Sequence, residues 1–90
     1  MKKICYYLYI LKCSDDTFYT GITTDLIRRV DEHNSSTLGA KYTRSRRPVK
    51  LIFSHIFSDR SLASKEEYRI KKCSRLEKLD MIQKKRVKEL

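Results

Sequence analysis

Chain breakers are scarce in this sequence, which has two Gly, one Pro and no Trp in 90 residues. That scarcity excludes a collagenous chain or a Gly/Pro-rich disordered one. Acidic residues are outnumbered as well, with 11 Asp and Glu against 21 Lys and Arg and a formal net charge of +10. An excess of that size on a short chain makes polyanions the first partner class, without saying whether nucleic acid, an acidic protein or anionic lipid is meant. No long apolar run exists. The longest, Cys5 to Leu11, is far too short to cross a bilayer, and no small-residue cleavage site follows it. A cytoplasmic protein without a membrane partner is expected. Three cysteines, Cys5, Cys13 and Cys73, lack metal-site spacing and are odd in number, so they are read as reduced thiols packed like small hydrophobes.

What is present suits one compact domain. Apolar residues make up 40% of the chain, six Tyr and three Phe among them. Ninety residues allow one core and not two, so a single domain over 1–90 is expected, with a frayed basic end from about 84 to 90.

Local pattern predicts the elements. Cys5 to Lys12 and Phe18 to Thr23 are β-prone and flank the turn chemistry of Ser14-Asp15-Asp16-Thr17, which reads as a hairpin. From Thr24, Leu26, Ile27 and Val30 recur at helical spacing, giving a helix that ends near Asn34. Ser35 to Pro48 lacks apolar periodicity and reads as a basic loop. Val49 to Phe57 is a strand with Leu51, Phe53 and Phe57 on one face and Ile52 and Ile56 on the other, a pattern that suits a central strand. Ser58 to Lys72 is a second helix with Leu62, Ala63, Ile70 and Cys73 inward. Ser74-Arg75-Leu76-Glu77 has capping-box spacing and starts a third, with a stripe of Leu76, Leu79 and Ile82. The order β-β-α-β-α-α implies an α/β (α+β) fold, a small three-stranded, mainly antiparallel sheet flanked by helices.

Phosphodiester cleavage needs a proton acceptor for water, positive charge on the phosphoryl oxygens and help for the leaving oxygen. The chain holds suitable parts in Tyr7, Tyr9, Tyr19, Arg28, Arg29, His33, Glu66 and Glu67. Each also has a plain reading. Strand tyrosines pack, Arg28 and Arg29 form a solvated helix face, and Glu66 and Glu67 pair with Arg69 or Lys72. Arg29 and His33, four apart, share one helix face.

Tyr7-Leu8-Tyr9, Tyr19-Thr20-Gly21, an arginine eight residues beyond that glycine and a glutamate on a later helix together resemble the GIY-YIG nuclease superfamily. Residues 19–23, 28–34, 39–44 and 67–71 are similar to stretches of its short, single-domain bacterial YhbQ-like branch. The resemblance implies that Tyr9 activates or orients the attacking water and that Tyr19 is a second active-site phenol. It makes Gly21 a position where a side chain would crowd the substrate, and Arg29 the clamp on the scissile phosphate. His33 becomes a base or proton relay and Glu67 the metal ligand, for Mg²⁺ or Mn²⁺. Ile22 stands where excision-repair relatives carry a lysine, the first motif lacks its glycine, and no counterpart appears for an asparagine that those relatives place after the glutamate.

Two expectations follow. Tyr9 and Tyr19 share a face only if the hairpin loop has three or five residues or a bulge intervenes; a plain two-residue turn would separate them. The basic loop, through Lys41, Tyr42, Arg44, Arg46 and Arg47, is expected to bind nucleic acid, with Tyr42 stacking on a base. The resulting expectation is a metal-dependent endonuclease acting on DNA, with RNA or branched nucleic acid also considered, in repair or recombination and with an unidentified targeting protein. The rivals are an inactive nucleic-acid-binding module and an adaptor for an acidic protein.

Overall fold

A computed structural model describes the backbone of residues 4–89 and the side chains of residues 4–84. Strand β1 (Tyr6–Lys12) and β2 (Phe18–Thr23) form the expected hairpin, followed by α1 (Leu26–Ser35), a short α2 (Lys41–Arg44), β3 (Lys50–Phe57), α3 (Arg60–Lys71) and α4 (Arg75–Glu89). The sheet is antiparallel throughout, in the order β2-β1-β3. Apart from α2, a four-residue helix inside the basic loop, the elements and their order agree with the sequence pattern.

Strand β1 is central, not β3. Leu8, Tyr9, Ile10 and Leu11 of β1 are all buried, whereas Leu51 and Ile56 on the edge strand β3 are about half exposed. The double-faced apolar pattern of β3 has a different origin. A register shift opposite Ile10 and Leu11 adds Ile52 to the strand, so that Ile52 and Phe53 both pack toward the α3 and α4 side.

Alternation along β1 feeds two cores, one on each face of the sheet. Leu8 and Ile10 join Ile70 of α3 and Ile82 of α4, with Phe18, Ile22, Phe53, Phe57 and Met81 around them. Tyr9 and Leu11 join Cys13 and Val49 on the opposite face, packed against Tyr19 and against Leu26 and Val30 of α1. Positions 26, 30 and 33 thus face the sheet. Ile27, one step round the helix, points to solvent and is 86% exposed, contrary to the expected stripe. Leu62 and Leu76 are likewise exposed at the first turns of α3 and α4, where the sheet does not reach them.

Side chains close the helix starts. Asp25 accepts from the Arg28 amide at the head of α1 and Asp59 from the Leu62 amide at the head of α3. Ser74 and Glu77 form the predicted capping box, in which the Ser74 amide donates to the Glu77 carboxylate at 2.9 Å and the Glu77 amide to the Ser74 hydroxyl at 3.2 Å. The three cysteines are free. No helix among the described residues is long and apolar enough to cross a membrane. The expected frayed basic end falls mostly on side chains outside the described residues.

Candidate active site

The hairpin geometry decides whether the two motif tyrosines can meet. Strand β1 ends at Lys12 and β2 starts at Phe18, so five residues connect them, and the Cys13 amide donates to the Thr17 carbonyl across the loop. Asp16 takes the positive-φ position, at 66°. Tyr9 pairs with Gly21 and Leu11 with Tyr19, which puts both tyrosines on the α1 face as the odd loop length requires. Their ring centroids lie 6.4 Å apart.

Gly21 makes room for Tyr9. A Cβ at Gly21 would stand 2.6 Å from the Tyr9 phenol oxygen, so the space a side chain would fill belongs to the protein's own phenol and not to a substrate. Tyr9 is 1% exposed and His33 is fully buried, with the phenol oxygen 2.8 Å from His33 Nε2. Tyr19 lies over the same imidazole at a centroid distance of 5.0 Å.

The far side of His33 is held by the segment expected to be a loop. Thr43 Oγ1 lies 2.9 Å from His33 Nδ1, and the Ala40 amide donates to Nδ1 at 3.3 Å. Gly39 lets this segment approach α1, since a Cβ there would be 2.6 Å from the Glu32 carbonyl oxygen. Asn34 exchanges two hydrogen bonds with the backbone of Val49, 2.7 and 3.0 Å long, and so anchors the other end of the segment. Thr43, fully buried, is a site residue that single-residue reasoning missed; its only signal is its place in the 39–44 stretch.

Burial pushes the Tyr9 phenol up to about 12, Tyr19 adds to the rise, and the Arg29 guanidinium opposes it. Burial pulls His33 down to about 4, with the charges of Arg29 and Arg47 acting in the same direction. At pH 7 the Tyr9–His33 pair is therefore neutral. Arg29 is held by Nη1, which donates to Glu32 at 2.9 Å and to the Leu38 carbonyl at 2.7 Å. The guanidinium also acts on the Tyr9 phenol.

Glu67 occupies the inward stripe of α3, between Ala63 one turn before it and Ile70 one turn after, both fully buried. Its carboxylate forms an ion pair with Lys71 at 3.2 Å and bears electrostatically on Tyr9. Glu66 is engaged by Arg69. Among the described residues no group of three or more His, Cys, Asp or Glu could enclose a metal ion. A single inward carboxylate fits Mg²⁺ or Mn²⁺, which fill their shells with water and substrate oxygens, and does not fit a closed zinc site.

The basic residues divide into two groups. Arg47 donates to the carbonyls of His33 and Ser36 at 2.6 Å each and to that of Glu32 at 3.4 Å, closing the C-terminal end of α1. Three of its five N–H donors thus hold the fold together at the place where a nucleic-acid contact is expected. Arg46 lies 3.9 Å over the Tyr42 ring and pairs with Asp15 at 3.0 Å, while Tyr42 stacks on Tyr19 at 6.0 Å. Tyr42 is thus already packed between neighbours. The side chains of Lys41 and Arg44, exposed on α2, engage no partner among the described residues.

Residues 5–80 match the GIY-YIG catalytic domain, and the chain belongs to that family. Within it the chain is similar to small proteins named only as UPF0213 members. It is 53% identical over 77 residues to UPF0213 protein DP2720 of Desulfotalea psychrophila, covering 86% of this chain and 70% of that one. It is 54% identical over 76 residues to the UPF0213 protein of Syntrophus aciditrophicus, covering 84% and 87%. Two solution NMR structures share the fold. One is protein EF2693 of E. faecalis (TM-score 0.65, 44% identity, covering 92% of this chain and 88% of that one). The other is UPF0213 protein BH0048 of Bacillus halodurans (TM-score 0.58, 42% identity, covering 88% and 83%).

Proposed function

We propose that this protein is a cytoplasmic, single-domain endonuclease that uses Mg²⁺ or Mn²⁺ to hydrolyse phosphodiester bonds in DNA, in repair or recombination. The observation that carries the reading is the convergence of Tyr9, Tyr19 and His33 on one face of the hairpin, beside Arg29, in a chain of the GIY-YIG family.

In this reading Arg29 holds the scissile phosphate, for which a planar guanidinium already fixed by Glu32 and Leu38 is preorganised. Tyr9 presents its oxygen to the attacking water. Because the phenol is protonated at pH 7, it takes up the water's proton only as it passes its own to an oxygen of the scissile phosphate, so it acts as a relay and not as a standing base. The water oxygen bonds to phosphorus as the P–O ester bond breaks. Tyr19, tilted against His33 at a centroid distance of 5.0 Å, is the second phenol of the site. Glu67 would hold the metal, which when bound supplies positive charge at the phosphoryl and leaving oxygens. Lys41 and Arg44 on α2, with Arg46 beside them, add sequence-independent attraction for the backbone.

The test is cleavage of plasmid, single-stranded and branched DNA by purified protein with Mg²⁺ or Mn²⁺, beside EDTA, Arg29→Ala and Glu67→Ala controls. Metal-dependent cutting lost in both variants supports the reading. No cutting on any substrate, with salt-sensitive binding that survives Glu67→Ala, would instead make the chain a nucleic-acid-binding module. Weak DNA binding even at low salt would point to an acidic protein partner.

A further inference from the structure

The buried imidazole of His33 has two neutral tautomers, and its surroundings choose between them. On one side it faces the Tyr9 oxygen through Nε2 at 2.8 Å. On the other, Nδ1 faces two groups, the Ala40 amide at 3.3 Å and Thr43 Oγ1 at 2.9 Å. The Ala40 group is a backbone N–H and can only donate. If Nδ1 carried a proton, that proton would confront the amide hydrogen, and the amide would lose its partner in a part-buried position, an outcome that folded proteins avoid. With Nδ1 bare, both neighbours are satisfied. The Ala40 N–H donates to it at 3.3 Å, and the Thr43 hydroxyl offers it a share of its single proton.

The Thr43 hydroxyl also donates to the Ala40 carbonyl at 2.9 Å, so its one proton is shared between that oxygen and His33 Nδ1. That carbonyl already accepts from the Thr43 amide at 3.1 Å and the Arg44 amide at 3.2 Å in the turns of α2, so it does not need the hydroxyl. The Ala40 amide, which can only donate, therefore decides the tautomer, and the Thr43 hydroxyl supports it with the share of its proton that faces Nδ1.

We propose that Thr43 is a positioning residue that, with the Ala40 amide, holds His33 as the Nε2–H tautomer, so that the imidazole donates to the Tyr9 oxygen. The inference rests on the nuclease reading for its catalytic meaning, though not for its structural content. Its consequence is a change in the role of His33, from the base or proton relay that the family resemblance implies to a hydrogen-bond donor. A donor aimed at the phenol oxygen stabilises negative charge that develops there and turns the phenol's own proton away from the imidazole, toward the phosphate oxygen that receives it in the relay. Removing Thr43 acts through His33 and Tyr9, without contact with substrate.

The test reads the tautomer directly, by ¹⁵N–¹H correlation of the imidazole nitrogens in metal-free, DNA-free protein, with the signals of the second histidine, His55, assigned by His55→Gln. The wild type is expected to show His33 protonated at Nε2 and bare at Nδ1. Thr43→Val should increase the population of the other tautomer and lower kcat roughly tenfold at unchanged KM, a part of what loss of a proton-transfer group costs. Thr43→Ser, which keeps the hydroxyl, should restore both. Protonation at Nδ1 in the wild type would overturn the proposal, as would a folded Thr43→Val with wild-type tautomer and kcat. An inactive wild type would defeat the nuclease reading alone, because the imidazole signals still decide this one.

Discussion

The two faces of strand β1 are built from alternate residues of one short segment, yet they differ in kind. Leu8 and Ile10 look toward α3 and α4 into a cluster made of Ile, Leu, Phe and Met, where any side chain of similar volume and polarity would serve. Tyr9, one residue away, looks toward α1 into a neighbourhood where nearly every atom is specified. Gly21 clears space for its oxygen, His33 meets it, Thr43 and Ala40 hold His33, and Arg29 bears on it. The difference teaches where tolerance should end. One face supplies cooperative stability through apolar burial, and the other buries polar groups that must each find a partner.

Substitutions on the two faces should therefore separate activity from stability. Tyr9→Phe removes only the phenol oxygen and is expected to lower kcat by about 10²-fold while costing about 1–2 kcal/mol of stability, because it leaves the buried His33 Nε2 without its partner. Plasmid cleavage and urea unfolding of the same sample check both halves. The mirror substitution, Ile10→Ala, should cost about 3 kcal/mol in urea unfolding and leave kcat per folded molecule near that of the wild type. If Tyr9→Phe proved as destabilising as Ile10→Ala, the contrast between the faces would collapse.

A smaller effect sharpens the same comparison through pH. Folding depresses His33 from 6.5 to about 4, so between these values the unfolded chain binds more protons than the folded one. Stability from keeping His33 neutral is then fully present above pH 6.5 and is lost as the pH falls toward about 4. Glu32, held low by its hydrogen bonds from Arg29 and then Arg28, loses its contribution in a more acidic range. Subtracting the urea-unfolding profile of His33→Gln from that of the wild type isolates the histidine part. A difference that is flat from about pH 7 to about 4 would mean that the imidazole titrates normally in the fold.

Much of this architecture is legible in the sequence. The hairpin, the capping box at Ser74 and Glu77, and the demand for an odd loop between Tyr9 and Tyr19 follow from turn chemistry and strand parity, which act over a few residues. The place of β3 at the sheet edge is not legible, because an apolar pattern says which faces are covered and not which strand lies beside which. Ile27 matches the helical spacing and still faces water, since a step of about 100° separates it from the stripe that Leu26, Val30 and His33 present to the sheet. Thr43 and Arg47 escape a sequence reading for a related reason. Both act by hydrogen bonds to α1, 10 and 14 residues back along the chain at His33, and such bonds leave no periodic trace in a basic, irregular segment. Of the residues that the family resemblance singled out, the structure places Tyr9, Tyr19 and His33 in mutual contact, with Arg29 acting on Tyr9. It ties Glu67 to them only through a charge effect on Tyr9, the weakest of those acting there, while the carboxylate itself pairs with Lys71 along α3.

That last tie makes Glu67 the most direct point of attack on the account. The measurement is single-turnover DNA cleavage by the wild type and Glu67→Gln across a Mg²⁺ titration, with DNA binding recorded on the same samples. The account predicts that Glu67→Gln binds DNA at least as well as the wild type and loses cutting by about 10³-fold at every Mg²⁺ concentration. Cutting that persists in Glu67→Gln, or wild-type cutting that ignores EDTA, would contradict it.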